Sequence, residues 1–487
     1  MRRLPRPAGR GLAPVLACLL IPACLTLSPA QEISLGQREA AKVAAQMGLV
    51  DDPEIRGIVE AVGRKLVQAL PLSPYAFEFH VVNMEEPNAF ALPGGFVYVS
   101  RGLLSLVNRE DELAGVLGHE IGHVVARHAA TRIARAQGVG LATVLGAVAA
   151  AALGGPAAGD VVGSLGQVAG AGYLAAYSRE QERESDEIGQ DLAARAGYDP
   201  AALVDFFVTL EAATRLLHGE RNPSFFDSHP STPERIALAR SRAAGLRRAP
   251  PSPVAPDRVR FLGHFEGLLV GPDPAEGLVR DGAFLHPDLD FHLRFPAGFE
   301  IRNTRAAVVA SPPTRDAFLV LTAEADAADA RSAAEAFARE LGVPFERGGP
   351  VNLGGSPGWH GELAAATEQG ALRLDVTFIE HAGTVLRLLA GAPSGQFARH
   401  APAFRATWQS FRRLTRLERD GIRELHLRVV RARAGERLEA LAARHDNAWD
   451  LELLAVANAL PRGAILEAGE PVKIAVARPY RGRSRRP

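Results

Sequence analysis

Two cysteines are all that this chain of 487 residues contains, and both, Cys18 and Cys24, fall within its first 30 positions. Once that stretch is removed, no disulfide, thiol nucleophile or cysteine metal site remains available. Net charge is equally lacking. The 55 basic side chains are balanced by 55 acidic ones, so no nucleic-acid partner and no strongly acidic substrate is expected. A disordered composition is missing too: apolar residues make up 47% and charged ones 23%, as in ordinary globular proteins. At roughly 100–200 residues per domain, the length calls for about three domains.

The first 30 residues read as an export signal. Arg2, Arg3, Arg6 and Arg10 precede an uncharged run over residues 11 to 30, and Ser28-Pro29-Ala30 offers the small residues that cleavage requires. The mature chain is therefore expected to begin at Gln31 and to work in an exported, periplasmic compartment. Ile21-Pro22-Ala23-Cys24 loosely resembles a lipobox and leaves a lipoprotein anchored at Cys24 as the alternative. Pro14 and Pro22 oppose a retained membrane span.

Residues 31 to 246 are expected to form the first domain. Two helices are predicted over residues 33 to 70, broken at Asp51-Asp52-Pro53. Strands follow at residues 77 to 82 and 96 to 99, and a long amphipathic helix from about 110 to 137. Between Arg135 and Arg179 the only charged residue is Asp160. Residues 136 to 178 thus read as an apolar helical segment over the active site or against a membrane surface, or as a buried hairpin. Helices are predicted over 177 to 196 and 201 to 217. Residues 247 to 258, rich in proline, read as a linker. An α/β sandwich is expected over 259 to 415, a small unit over 424 to 476, and a basic tail over 477 to 487.

The chemistry concentrates in His119-Glu120-Ile121-Gly122-His123. Residues four apart on a helix lie one above the other, so His119 and His123 can offer two ring nitrogens to one zinc ion. Glu120 can then act as general base toward water activated by that ion. Catalytic zinc normally takes three protein ligands, and the best source of the third is the acidic run from Glu180 through Glu182 and Glu184 to Asp186. Glu182 and Asp186 share a helix face. Glu182 could bind the metal while Asp186 accepts the outer N–H of a ligand histidine. His128, five residues beyond His123, is expected to point elsewhere and to be structural.

A helix bearing His119 to His123 followed by one bearing Glu182 to Asp186 resembles the HtpX/BepA-like zinc metallopeptidases, metallopeptidase family forty-eight. The resemblance implies an α+β multidomain protein whose zincin-type protease domain is mainly helical with a small sheet. It implies one zinc held by His119, His123 and Glu182, in preference to Glu180 or Glu184. It also implies that substrate lies along an edge strand, with Asn88, Ala89, Phe90 and Ala91 in the segment leading up to it. Ser228-His229-Pro230 and Arg235 are similar to a late histidine element of the family. Its His229 either stabilises the oxyanion or fills the open metal position in a latent form, with Arg235 assisting. Residues 424 to 476 are similar to a LysM-like ββ/αα module, which implies peptidoglycan contact. Gly435-Glu436-Arg437-Leu438 departs from the usual Gly-Asp-Thr-Leu.

The function expected from these readings is hydrolysis of misfolded or stalled envelope polypeptides by a zinc metalloendopeptidase. The rival is an envelope chaperone or cell-wall-anchored scaffold with little turnover.

Overall fold

A computed structural model describes residues 27–131, 176–218, 225–230, 232–324, 327–367 and 370–482. The expected signal therefore lies almost wholly outside the described residues, as do most of the apolar segment and the end of the basic tail. Among the described residues no helix is long and apolar enough to cross a membrane.

Local signals set the first elements. Helix α1 (Pro29–Met47) opens with a capping box between Ser28 and Gln31, and α2 (Pro53–Gln68) opens on Asp52, whose side chain accepts from the Glu54 and Ile55 N–H groups. Because α1 starts at Pro29, the cleavage point expected after Ala30 falls inside its first turn. Strands β1 (Glu78–Val82), β2 (Ala89–Leu92) and β3 (Phe96–Ser100) form a sheet in the order β1-β3-β2, with β1 parallel and β2 antiparallel to β3. Residues 89 to 92 thus supply the edge strand itself rather than a lead-in to it, with Asn88 just before it. The reason lies in Gly94 and Gly95, whose φ angles of 85° and 106° fold β2 back on β3.

Helices α3 (Arg101–Leu106), α4 (Glu110–Val125), α5 (Arg179–Arg195), α6 (Ala202–His218), α7 (Phe225–Ser228) and α8 (Pro233–Gly245) complete the first unit. α4 is buried almost all round and packs on α2, α5, α6 and β2. It stops at Val125 instead of continuing toward residue 137, because Arg127 adopts a left-handed φ of 60°. A new helical turn starts at His128.

The proline-rich stretch is not a free spacer. Val254 and Ala255 N–H groups donate to the buried Glu110 carboxylate, each at 2.7 Å, tying it to the start of α4. The residues after it stay with the first unit: Phe261 and Leu262 of α9 (Arg258–Gly263), then Phe265, Leu268 and Val270, belong to the same apolar core as α2, α4 and α6.

After a small sheet of β5 (Leu278–Arg280), β6 (Ala283–His286) and β7 (Phe291–Arg294), the sheet-rich second unit carries seven antiparallel strands. These are β8 (Glu300–Asn303), β9 (Val308–Ser311), β10 (Phe318–Glu324), β11 (Arg347–Leu353), β12 (Ser356–Thr367), β13 (Gly370–His381) and β14 (Thr384–Pro393), in the order β11-β12-β13-β14-β10-β9-β8. Period-2 alternation divides its side chains between two faces. Phe318 and Val320 meet Phe337 of α10 (Ala330–Leu341), while Leu319 and Leu321 meet Phe397 and Phe404 of α11 (Ser394–Gln409).

In the C-terminal unit β15 (Arg423–Arg431) and β18 (Pro471–Pro479) pair antiparallel around α13 (Leu438–Arg444) and α14 (Leu451–Ala457). β18 runs to Pro479, so the tail boundary expected at 477 lies within a paired strand, with Arg478 opposite Glu424. This unit docks on the first one. β15 also pairs with β4 (Leu269–Val270), and Leu427, Ala457 and Ala475 enter the first core. The fully buried Lys473 donates to the Ser105 and Val107 carbonyls at 2.8 and 2.7 Å.

Candidate metal centre

Two helices bring the centre together by close approach. A methyl group on Gly118 would meet the Gly189 carbonyl at 3.0 Å, so α4 and α5 pack backbone to backbone and their functional side chains share one buried space. Ser178 starts α5 with a capping box to Gln181, which places Glu182 and Asp186 one turn apart on the face toward α4.

One nitrogen or oxygen atom from each of His119, His123, Glu182 and His229 lies within 4.8 Å of all the others, and all four residues are buried. His119 Nε2 is 3.0 Å from His123 Nε2 and 3.2 Å from His229 Nδ1. Glu182 Oε1 is 3.3 Å from His123 Nε2 and 3.0 Å from His229 Nδ1. His119 Nδ1–H donates to Asp186 Oδ1 at 2.9 Å, which leaves its Nε2 as a lone pair facing the other ring nitrogen. Three ring nitrogens and a carboxylate oxygen converging in one buried space are a donor set that fits a divalent metal of the zinc type.

Arg235 organises the carboxylates. Its Nε and Nη2 donate to Asp186 Oδ2 and Oδ1 at 2.6 and 2.8 Å, and its Nη1 lies 2.6 Å from Glu182 Oε2. Glu182 therefore turns Oε2 to the guanidinium and Oε1 to His123 and His229. Burial alone would raise the Glu182 and Asp186 pKa values. The neighbouring His229 and His123 rings instead hold the Glu182 carboxyl well below its usual value, and hydrogen bonds from Arg235 and His119 hold Asp186 down. Burial keeps His123 well below its ordinary value and hence neutral, the form that ligates.

Glu120 is wholly buried, and neither carboxylate oxygen has a hydrogen-bond partner among the described residues. Burial pushes its pKa up. His229 Nε2 lies 3.5 Å from Glu120 Oε1. A buried carboxylate left open beside a metal-type donor set is suited to exchanging protons with a small polar molecule there.

The structure thus brings together His119, Glu120, His123, Glu182, Asp186, His229 and Arg235. Glu180 and Glu184 do not join the cluster. Asn88 to Ala91 lie on and beside β2, which packs against α4; Asn88 N–H donates to Ser100 Oγ at 2.8 Å, and its buried Oδ1 has no partner among the described residues. Sequence reasoning missed Tyr177, whose ring stacks on His123 with centroids 3.9 Å apart, and Phe225, stacked on His229 at 4.4 Å. Only their sequence proximity to the motif residues offered a signal. His128, expected to point away, reaches His123 (Nδ1 to Nδ1, 3.0 Å). A second group, His360, Glu362 and Asp375, also clusters, but Arg347 and Arg373 already hold Glu362 Oε2 at 3.0 and 3.3 Å. A cation there would meet two guanidinium groups, and we assign it no metal.

Comparison with known proteins agrees with this geometry. Residues 53–243 match Peptidase family M48. The chain is 32% identical over 225 residues to the "Beta-barrel assembly-enhancing protease" of Escherichia coli (strain K12), covering 46% of each chain. It is 36% identical over 179 residues to the "Mitochondrial metalloendopeptidase OMA1" of Schizosaccharomyces pombe, covering 37% of this chain and 50% of the relative. "Metalloprotease YcaL" of Escherichia coli is 35% identical over 166 residues, covering 34% and 62%. The chain spans about half the length of the first of these relatives.

Proposed function

We propose, from the match of residues 53–243 to Peptidase family M48, that the chain is a zinc-dependent metalloendopeptidase of the cell envelope acting on misfolded or stalled polypeptides. The observation that carries this reading is the buried His119, His123, Glu182 and His229 cluster beside the unpartnered Glu120 carboxylate. Relatives named as an assembly-enhancing protease and as a metalloendopeptidase support the substrate class.

His119, His123 and Glu182 would hold the zinc, which supplies Lewis-acid polarisation of the scissile carbonyl and acidifies the attacking water. Glu120 takes the proton of that water and passes it to the leaving amine. Asp186 fixes the His119 tautomer through the Nδ1–H bond, and Arg235 fixes Asp186. His229 stands beside Glu120 and Glu182, placed to hold the oxyanion or to complete a latent metal set. A peptide adding to the edge strand β2 would run along the side of α4, with Asn88, Ala89, Phe90 and Ala91 as its contacts.

The N-terminal signal supports export to a periplasmic compartment, with lipidation at Cys24 as the alternative. The strand–helix–helix–strand order of the C-terminal unit supports a LysM-like module and contact with peptidoglycan or a membrane surface.

Casein cleavage by the full chain, with and without a chelator and in the Glu120→Gln variant, tests the reading. Cleavage should vanish with chelator and in Glu120→Gln while that variant keeps its zinc. Chelator-insensitive client binding with no cleavage would instead favour a chaperone or scaffold.

A further inference from the structure

We infer that His128 is a positioning residue for the metal centre: it accepts the outer ring N–H of His123 and is itself anchored by Glu184. The inference rests on the reading that His123 binds the metal through Nε2.

On a continuing helix, His128 would lie about 140° around the axis from His123 and could not reach its ring. α4 does not continue. Arg127 turns left-handed at φ 60°, a conformation unfavourable for a side-chain-bearing residue, and the reversal carries His128 back toward the site. The turn is fastened from α1. Arg127 Nε donates to Glu32 Oε1 at 2.7 Å, and Glu32, buried at 1% exposure, accepts at Oε2 from the Tyr75 hydroxyl at 2.8 Å.

The hydrogen bonds then allow one consistent assignment of protons. His123 Nε2 faces His119 Nε2 and Glu182 at 3.0 and 3.3 Å, so as a ligand it carries its proton on Nδ1. That nitrogen lies 3.0 Å from His128 Nδ1, which must therefore accept. The His128 proton is left on Nε2, 3.1 Å from Glu184 Oε2. Every link has one donor and one acceptor. Ser185 Oγ lies 3.3 Å from the accepting Nδ1 and borders the same ring.

Both ligand histidines are consequently held from behind by the acidic face of α5. His119 reaches Asp186 directly, and His123 reaches Glu184 through His128. Such outer partners fix ring orientation and raise ligand basicity. His128 is 4% exposed whereas the Glu184 side chain is 59% exposed, so most of the positioning falls to the buried ring.

The test compares the full chain with His128→Asn, His128→Leu and Glu184→Ala. Asparagine can place an acceptor oxygen near the original Nδ1, and leucine cannot. Zinc affinity, read by competition with a chromophoric chelator, should fall by about 10–100-fold in His128→Leu, stay near wild type in His128→Asn, and fall to a lesser degree in Glu184→Ala. Proton NMR of the cobalt(II)-substituted chain should show two shifted, exchangeable ring N–H signals. One should be lost to solvent exchange in His128→Leu and kept in His128→Asn. Unchanged zinc affinity with both signals retained in His128→Leu overturns the proposal, as do equal losses in the leucine and asparagine variants. If circular dichroism shows His128→Leu to be unfolded, Glu184→Ala decides: unaltered zinc affinity there sinks the idea. Zinc binding that survives His123→Ala would overturn the metal-site reading itself, a result distinct from either failure.

Discussion

The backbone of α4 at Gly122 faces Ser185 of α5 so closely that a methyl group on Gly122 would sit 2.8 Å from the Ser185 carbonyl oxygen. The obstacle is backbone, which cannot rotate aside as a side chain can. Gly122→Ala should push the two helices apart, cost about 1–3 kcal/mol of stability and weaken zinc binding, because the histidines sit on one helix and Glu182 on the other. Gly57→Ala is the control. No atom of the described residues lies within 4 Å of a methyl group there, and in a helix interior the change should add about 0.5–1 kcal/mol. Urea melts and zinc titration check both. A Gly122→Ala chain with wild-type zinc affinity would show that the inter-helix spacing has slack.

The three glutamates of the acidic run should separate cleanly by metal content. Glu182 alone among them enters the buried cluster, and Glu180 and Glu184 have side chains 80% and 59% exposed. Glu182→Ala should therefore lose its bound zinc after dialysis, Glu180→Ala should keep it at wild-type affinity, and Glu184→Ala should keep it with the weaker affinity expected from its contact with His128. Atomic absorption on the purified chains reads the result. Retained zinc in Glu182→Ala would move the third ligand elsewhere.

The parts of the site legible in the sequence are those that helical periodicity encodes. His119 and His123, and separately Glu182 and Asp186, are four apart within regular helices, so shared faces follow from spacing alone. His128 was misjudged because its position depends on the helix ending at Arg127, and arginine carries no signal for a left-handed turn; the cause is the distant Glu32. The same holds for the linker: proline content suggests a spacer, but the tie to Glu110 is a tertiary event with no local mark. In the second unit the mixed α/β character expected over residues 259 to 415 was readable, yet the order of seven strands was not.

Lys473 holds the C-terminal unit to the turn that leads into α4. Burial lowers its pKa well below the ordinary value, and its ammonium donates to the Ser105 and Val107 carbonyls. Lys473→Met keeps much of the shape and removes both bonds, leaving two buried acceptors short of a donor at about 1–3 kcal/mol. The variant should melt at lower urea and expose residues 423 to 479 to limited proteolysis, with cleavage activity falling in parallel. A more stable variant would show instead that burying the charge costs more than its hydrogen bonds return.

Asp375 gives the sheet-rich unit a pH dependence of definite sign. Burial, with a smaller push from the Glu362 charge, raises its pKa from 3.8 to about 7. The two carboxylates stand directly opposite on β12 and β13, where like charges repel. Folding thus favours the protonated acid. That stabilisation is complete below the unfolded value of 3.8 and is lost as pH rises through about 7, with a limiting slope of about 1.4 kcal/mol per pH unit. Asp375→Asn keeps an uncharged side chain of the same shape at every pH. Wild type should therefore lose stability relative to Asp375→Asn between about pH 5 and pH 8, by on the order of a few kcal/mol. Urea midpoints of the two chains across that range provide the measurement. Curves that stay parallel would mean that Asp375 is already ionised at the lower pH and that its neighbours, not its burial, set its charge.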